Sequence, residues 1–372
     1  MQATAAALRA AGFSIGTTIR QSPQHIGFWL ADPNLPNLQS RHRLAAIALI
    51  STSHRMAETA LTIHRAEAAE PAWRARARPL LGTLVEISAP AGNDAELRAW
   101  TEPAFDRIAS LHAAMSFHST TSDLAAIARA PADTQLVVQA DTWQTLALAL
   151  ELEAASGGAF NCAVAPVLVQ RGLLPRPAGA VWPSATSATA AITLLDGNRL
   201  RIEQAVWIDL GGVAKGVAVD AAVQALRAAG APAGLVNAGG DLRVFGEHAR
   251  RVVLRLPRCP QRFISAALLS EGAVATSAAY FERSPAGDDV SAGDAIDDRA
   301  ALVTPQCWQQ GAASLPAHAA VPASVSVFAP SCAVADGLTK VLALVTAASA
   351  PLLRRYAARG LWIDRDGLAH PV

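Results

Sequence analysis

Near the middle of the chain an apolar run, Trp207-Ile208, leads through Asp209 and Leu210 into a glycine pair, Gly211-Gly212. Beyond the pair the pattern turns helical. Val219, Val223 and Leu226 recur at i, i+4 and i+7 as one apolar stripe, with Asp220, Gln224 and Arg227 as a polar stripe on another face. The segment predicts an apolar strand, a tight turn and an amphipathic helix. Glycines allow close backbone approach, and the amides at a helix start favour an anion. Lys215, in the first turn, adds a point charge suited to a phosphate. Taken alone, the plainer reading is the better one: a strand–turn–helix with a solvated lysine. The segment matches neither the P-loop pattern nor the G-x-G-x-x-G dinucleotide pattern.

Lys215 stands out for a second reason. The chain carries 31 basic side chains, and only two of them, Lys215 and Lys340, are lysines. They face 30 acidic groups, and this near-neutral balance argues against a nucleic-acid binder, which needs a basic surplus to neutralise phosphates. With 372 residues, 52% of them hydrophobic, the chain can bury one large core or two smaller ones, and disorder throughout is excluded. The cysteines, Cys162, Cys259, Cys307 and Cys332, are too far apart for a zinc knuckle or redox dithiol and read as small apolar core residues. No apolar run reaches the roughly 18–20 residues of a membrane-spanning helix. Leu44 to Ile50 comes nearest to a leader core, but it is short, internal and lacks a clean cleavage site.

Residues 1–74 show no sustained period and read as a peripheral arm, with a start codon set too far upstream as one explanation; 75–372 reads as the folded unit. Within it, Thr83 to Ser88 predicts a strand. Residues 95–115 predict a helix with Phe105, Ile108, Leu111 and Met115 inward and Pro103 near its start, and 141–155 a second helix closed by Ser156-Gly157-Gly158. Asp196-Gly197-Asn198 marks a hairpin between β-rich runs over 192–208, and 321–329 alternates as a strand. Residues 283–320 read as a surface excursion.

Two further segments carry candidate chemistry. Leu235 to Ala238 runs into Gly239-Gly240-Asp241 and on to Phe245, a hairpin whose turn also offers bare backbone to a flat ligand or phosphate. Later, Val334, Leu338, Val341 and Val345 mark the inner face of a helix, with Asp336, Thr339 and Lys340 together on an adjacent face. A carboxylate beside a hydroxyl suits a hard cation such as Mg²⁺. The plain alternative is an Asp–Lys surface pair worth about 0.3–0.5 kcal/mol.

In this order, the segments resemble the FAD:protein FMN transferases, the ApbE flavin transferases, over about residues 76–350. Arg78 to Thr83 is similar to the opening motif, Met115-Ser116 with Ser122-Asp123-Leu124 to the next, and Gly158-Ala159-Phe160-Asn161 through Pro166 to the flavin-contacting stretch. Asp209 to Asp220 and Asn237 to Asp241 resemble the two most specific blocks, Val274 to Ser277 the Ala-Thr-Ser element, and Ala335-Asp336 the start of the C-terminal metal motif.

The resemblance implies a mixed α/β (α+β) fold of two lobes with the flavin in the cleft between them. It implies transfer of the FMN part of FAD to a threonine of a client flavoprotein, with AMP released and Mg²⁺ at the pyrophosphate. By position, Leu81, Ser116, His118, Ala159, Phe160, Asn161, Asp209, Lys215, Gly239, Gly240, Asp241 and Ser277 fall at cofactor-binding places. Gly212 (through its carbonyl), Asp336 and Thr339 fall at metal-binding places, and Asp294 and Lys215 at catalytic ones. The sequence departs from the family at His118 (usually tyrosine), Asn161 (usually aspartate), Lys340 (usually a metal-binding threonine) and Asp294 (usually histidine). Because of Asp294 and Lys340, two other readings stay open: a flavin-binding protein without turnover, and an FAD pyrophosphatase giving FMN and AMP. The start as written suggests a cytoplasmic location; the resemblance allows a periplasmic one.

Overall fold

The computed structural model describes residues 72–278 and 322–372, apart from 258 and 365. The expected arm up to 71, the excursion over 283–320, Cys307 and Asp294 lie outside the described residues.

In chain order the elements are β1 (Arg74–Leu80), β2 (Thr83–Ala89), α1 (Asp94–Met115), α2 (Asp123–Arg129), β3 (Thr134–Val137), α3 (Ala140–Ala155), α4 (Ala165–Gln170) and α5 (Ala188–Ala191). Next come β4 (Ile192–Leu195), β5 (Arg199–Ile202), α6 (Ala214–Ala228), β6 (Gly234–Ala238), β7 (Asp241–Phe245), β8 (Arg250–Leu256) and β9 (Cys259–Leu269). The last are β10 (Gly272–Ala278), β11 (Ser324–Ala329), α7 (Cys332–Val345), α8 (Ala350–Arg355), β12 (Arg359–Ile363) and β13 (Ala369–Pro371). An eight-stranded antiparallel sheet runs β1-β2-β6-β7-β10-β11-β12-β13, and β3-β5-β4 and β8-β9 form smaller sheets.

Both faces of the large sheet are covered, which explains why β6 and β11 are buried along their whole length, the alternating Ser324 and Ser326 of β11 included. Val236, Ala275, Val325 and Val327 turn to the main core with α1, α6 and α7; Leu235, Val244, Val274 and Phe328 turn to a second core against β8 and β9. The main core also takes in Leu146, Leu152, Leu200 and Ile202 around the three-stranded sheet. The architecture is α+β, as expected.

Several boundaries differ from the sequence reading. Arg74, assigned to the arm, opens β1, and Trp73 packs on the second core. Asn93 caps α1 by accepting from the Glu96 amide, so the helix begins early enough to put Pro103 in its interior, where one helix hydrogen bond is lost. The apolar segment before Gly211 is not a strand, and the paired β-run ends at Ile202. Residues 205–210 are buried on several sides but join no sheet ladder, and the Asp209 amide donates to the Cys162 carbonyl at 2.8 Å. Apolarity predicted burial there correctly and strand pairing wrongly.

The crossing of α6 and α7 fixes the centre of the fold. Asp220 on α6 accepts the amides of Cys332 and Ala333, each at 2.9 Å, and so caps α7. Asp336 on α7 accepts the Gly216 amide at 3.1 Å and so caps α6. Each helix thus neutralises the exposed amides of the other. The approach requires glycine at 216, where a Cβ would stand 2.3 Å from the Cys332 carbonyl oxygen and 2.7 Å from the Ala333 Cα. Gly216→Ala should lower stability by about 2–3 kcal/mol in urea unfolding, because the obstacle is backbone that cannot rotate away. Asp220, one of the polar stripe, is therefore buried structure.

At the end of α8, Tyr356 donates to Glu151 on α3 at 2.8 Å, with Arg355 3.5 Å from the same carboxylate. Burial and the Glu151 contact push the phenol from its ordinary 10.0 up to about 12. The folded chain holds this proton more tightly than the unfolded one, so the stability it contributes is present below pH 10.0 and is lost between there and about 12. Urea unfolding at increasing pH should show that loss, and Tyr356→Phe should remove this part of it.

Candidate functional site

The site is assembled at one end of the large sheet from turns and helix starts. Leu81 and Gly82, with φ of +56° and +70°, are the two-residue turn between β1 and β2. Gly239 and Gly240, with φ of +63° and +109°, make the corresponding turn between β6 and β7. Both turns need left-handed backbone at two consecutive positions. The glycines supply it without strain, whereas Leu81 holds it at a cost of about 1–2 kcal/mol. The turns touch: a Cβ on Gly239 would lie 2.6 Å from the Thr83 hydroxyl oxygen. The Asn237 side-chain oxygen accepts the Gly240 amide at 2.9 Å and locks the second turn.

Asp241 follows, 1% exposed. One carboxylate oxygen accepts the Thr276 amide at 3.2 Å, and the other meets the Lys215 ammonium at 2.6 Å. Lys215 keeps about a third of its side chain exposed (34%). Burial acts to lower its pKa, but Asp241 and Asp336 outweigh this and hold it above the usual lysine value, so it is charged throughout the physiological range. It is not the solvated lysine of the plain reading. Ser277, next to Thr276 on β10, is half-buried.

On the other side, a Cβ at Gly212 would stand 3.1 Å from the Phe160 ring and 3.8 Å from Lys340 Cε. Ala159 and Phe160 are buried, while Asn161 is half-buried. The Asn161 amide donates to the Thr186 carbonyl at 2.8 Å, and its oxygen accepts the Ala163 amide at 2.7 Å. An aspartate cannot make the first of these bonds, so asparagine suits this chain's own loop. Asp209 accepts the Gly211 amide at 3.1 Å. Burial raises its pKa, and the Gly211 amide, His118 and Lys340 partly offset the rise. His118 is exposed, two residues beyond Ser116, which caps the end of α1.

The expected metal ligands do come together, but not as a cation site. Asp336 is fully buried, with one oxygen on the Gly216 amide and the other 2.5 Å from the Lys340 ammonium. The Thr339 hydroxyl donates to the Asp336 carbonyl at 2.7 Å and accepts from Lys340 at 3.1 Å. Its proton and one lone pair are taken, the latter by the ammonium itself, so Thr339 is not the free oxygen ligand the sequence suggested. An ammonium lies where a divalent ion would contact Asp336 and Thr339. Among the described residues no group of three or more His, Cys, Asp or Glu could hold a metal ion. This set does not fit Mg²⁺.

Sequence reasoning included Thr83 and Thr276 only within motifs, with no role of their own, and missed Arg243. Arg243 pairs with Asp220 at 2.7 Å and braces the helix crossing behind the site. Its position on β7, two residues after Asp241, was the available signal. Cys162 and Cys332 are fully buried with thiols pushed up chiefly by desolvation, which fits inert packing residues.

Fold and site together define an α+β protein that gathers buried carboxylates, two ammonium groups and glycine-containing turns at one end of its large sheet. The chain belongs to the ApbE family, whose model matches residues 81–359. Its fold is shared with the flavin transferase ApbE of Vibrio cholerae (20% identity, TM-score 0.64, covering 81% of this chain and 96% of that one). It is shared also with the Thermotoga maritima ApbE protein (23%, 0.62, 80% and 96%) and the Pseudomonas stutzeri flavinyl transferase ApbE in its apo form (21%, 0.61, 82% and 96%). A comparison with curated protein sequences finds no match. Among the described residues no helix is long and apolar enough to cross a membrane.

Proposed function

We propose that the chain transfers the FMN part of FAD to a threonine of a client flavoprotein. The threonine oxygen attacks the flavin-side phosphorus, the bond from that phosphorus to the bridging oxygen breaks, and AMP leaves with that oxygen. The products are a threonine–FMN phosphoester and AMP. The observation that carries this reading is the Lys215 ammonium held on buried Asp241, beside the bare Gly239-Gly240 backbone. A fixed positive charge of this kind supports a reading in which phosphate charge develops beside it. Phe160 and His118 offer flat faces for the ring system, and Leu81, Ser116, Ala159, Asn161, Asp209 and Ser277 complete the wall. Asp294 is assigned from the sequence as acceptor of the threonine proton. Mg²⁺ has no step here, since its expected ligands hold an ammonium.

Incubating the chain with FAD and a client that carries the acceptor threonine should give AMP and a client of FMN-increased mass. Free FMN with unmodified client would indicate hydrolysis, and no AMP at all would contradict the proposal.

Leu81 permits a finer check. Leu81→Gly relieves the left-handed strain while losing part of a half-buried side chain, so stability should stay within about 1 kcal/mol of the parent. FAD binding should weaken nevertheless. A thermal melt and an FAD titration on the same sample would separate the two effects.

A further inference from the structure

Lys340 is 23% exposed, whereas the Asp336 carboxylate it contacts is 0% exposed. The ammonium therefore stands between a buried negative charge and the crevice. Its stem lies near Gly212, where a Cβ would stand 3.8 Å from Lys340 Cε, and its ammonium is held on Asp336 and Thr339. An ammonium has three donors. Asp336 and the Thr339 hydroxyl take two, and among the described residues no partner takes the third. It also acts electrostatically on Asp209 across the crevice. Without Lys340, the buried Asp336 carboxylate would lose its ammonium partner, and its negative charge would lie uncompensated near an incoming phosphate. A cation is required at this place, and the chain supplies its own.

We infer that the Lys340 ammonium replaces the divalent metal ion at the diphosphate subsite, so that this chain binds its dinucleotide without metal. The inference rests on the flavin reading above and deepens it. An ammonium carries half the charge of Mg²⁺ and cannot accept ligand oxygens into a coordination shell, but it never dissociates. It donates one directed hydrogen bond to a phosphate oxygen while its other donors hold the buried carboxylate in place.

The test uses the full chain and two probes. FAD is titrated by calorimetry in EDTA and again in excess Mg²⁺, and Mn²⁺ binding to the flavin-free chain is followed by electron paramagnetic resonance. The expected FAD affinities differ by less than about twofold between the two buffers, with no stoichiometric Mn²⁺ bound. Lys340→Thr should reverse this: Mg²⁺ raises its FAD affinity about tenfold or more, and Mn²⁺ raises its melting temperature. FAD binding by the parent chain only in Mg²⁺, or one tightly bound Mn²⁺ per chain, overturns the inference and leaves the flavin reading intact. No FAD binding in either buffer overturns the flavin reading and the inference with it. If Lys340→Thr does not fold, the two measurements on the parent chain still decide between these outcomes.

Discussion

Asp220→Ala should lose about 3–5 kcal/mol of stability, the range expected when one partner of a buried charged network is deleted. Three contacts go at once: the Cys332 and Ala333 amides at the start of α7 and the Arg243 guanidinium. The amides are buried and gain no water in exchange, and Arg243 is left with only a distant neighbour, Glu271 at 3.9 Å. Since α7 carries Asp336 and Lys340, loosening its first turn should disturb the crevice as well as the core. Asp220→Asn keeps an acceptor but not the charge, so it should fall between the parent and the alanine variant. Urea unfolding of the three proteins checks the order. Alanine and asparagine variants within 1 kcal/mol of the parent would show that the reciprocal caps carry little of the energy.

Lys215→Met should reduce FMN transfer at least about a hundredfold, the usual cost of removing one preorganised group facing developing charge. It should also cost stability, because the buried Asp241 carboxylate would lose its ammonium partner and keep the Thr276 amide. The two losses can be separated. Adding Asp241→Asn to Lys215→Met removes the stranded charge and should restore most of the stability, while transfer stays lost. A double variant that transfers FMN at the parent rate would reduce Lys215 to a salt-bridge partner.

Turn chemistry made much of this legible in the sequence. Gly239-Gly240 and Asp196-Gly197-Asn198 mark their hairpins because few other residues accept left-handed backbone, and both turns stand where expected. The helix ending at Ser156-Gly157-Gly158 was legible for the same reason. Burial direction was harder. Asp220 was read only as part of a polar stripe, because helical periodicity reports which residues share a face, not what another helix brings to it. The approach that buries it depends on Gly216, whose role appears only when Cys332, more than a hundred residues away in sequence, is placed against it. Residues 205–210 failed differently: apolar residues looked like a strand, but pairing needs a free ladder edge, which composition does not encode. At the site, the sequence brought Asp336, Thr339 and Lys340 to one helix face correctly. It did not decide whether the ammonium would turn outward to water or back onto its own carboxylate. In the fold the ammonium turns back onto Asp336, whose carboxylate is fully buried.

The central claim is that the crevice bounded by Lys215, Gly212, Gly239-Gly240 and Lys340 binds a flavin dinucleotide. Calorimetric titration of FAD into the purified full chain tests it most directly, with the Lys215→Met/Asp241→Asn variant as the comparison. The prediction is a saturable heat for one FAD per chain, much weakened in the variant. The absence of saturable heat with the parent chain, or the same affinity in both proteins, would contradict it.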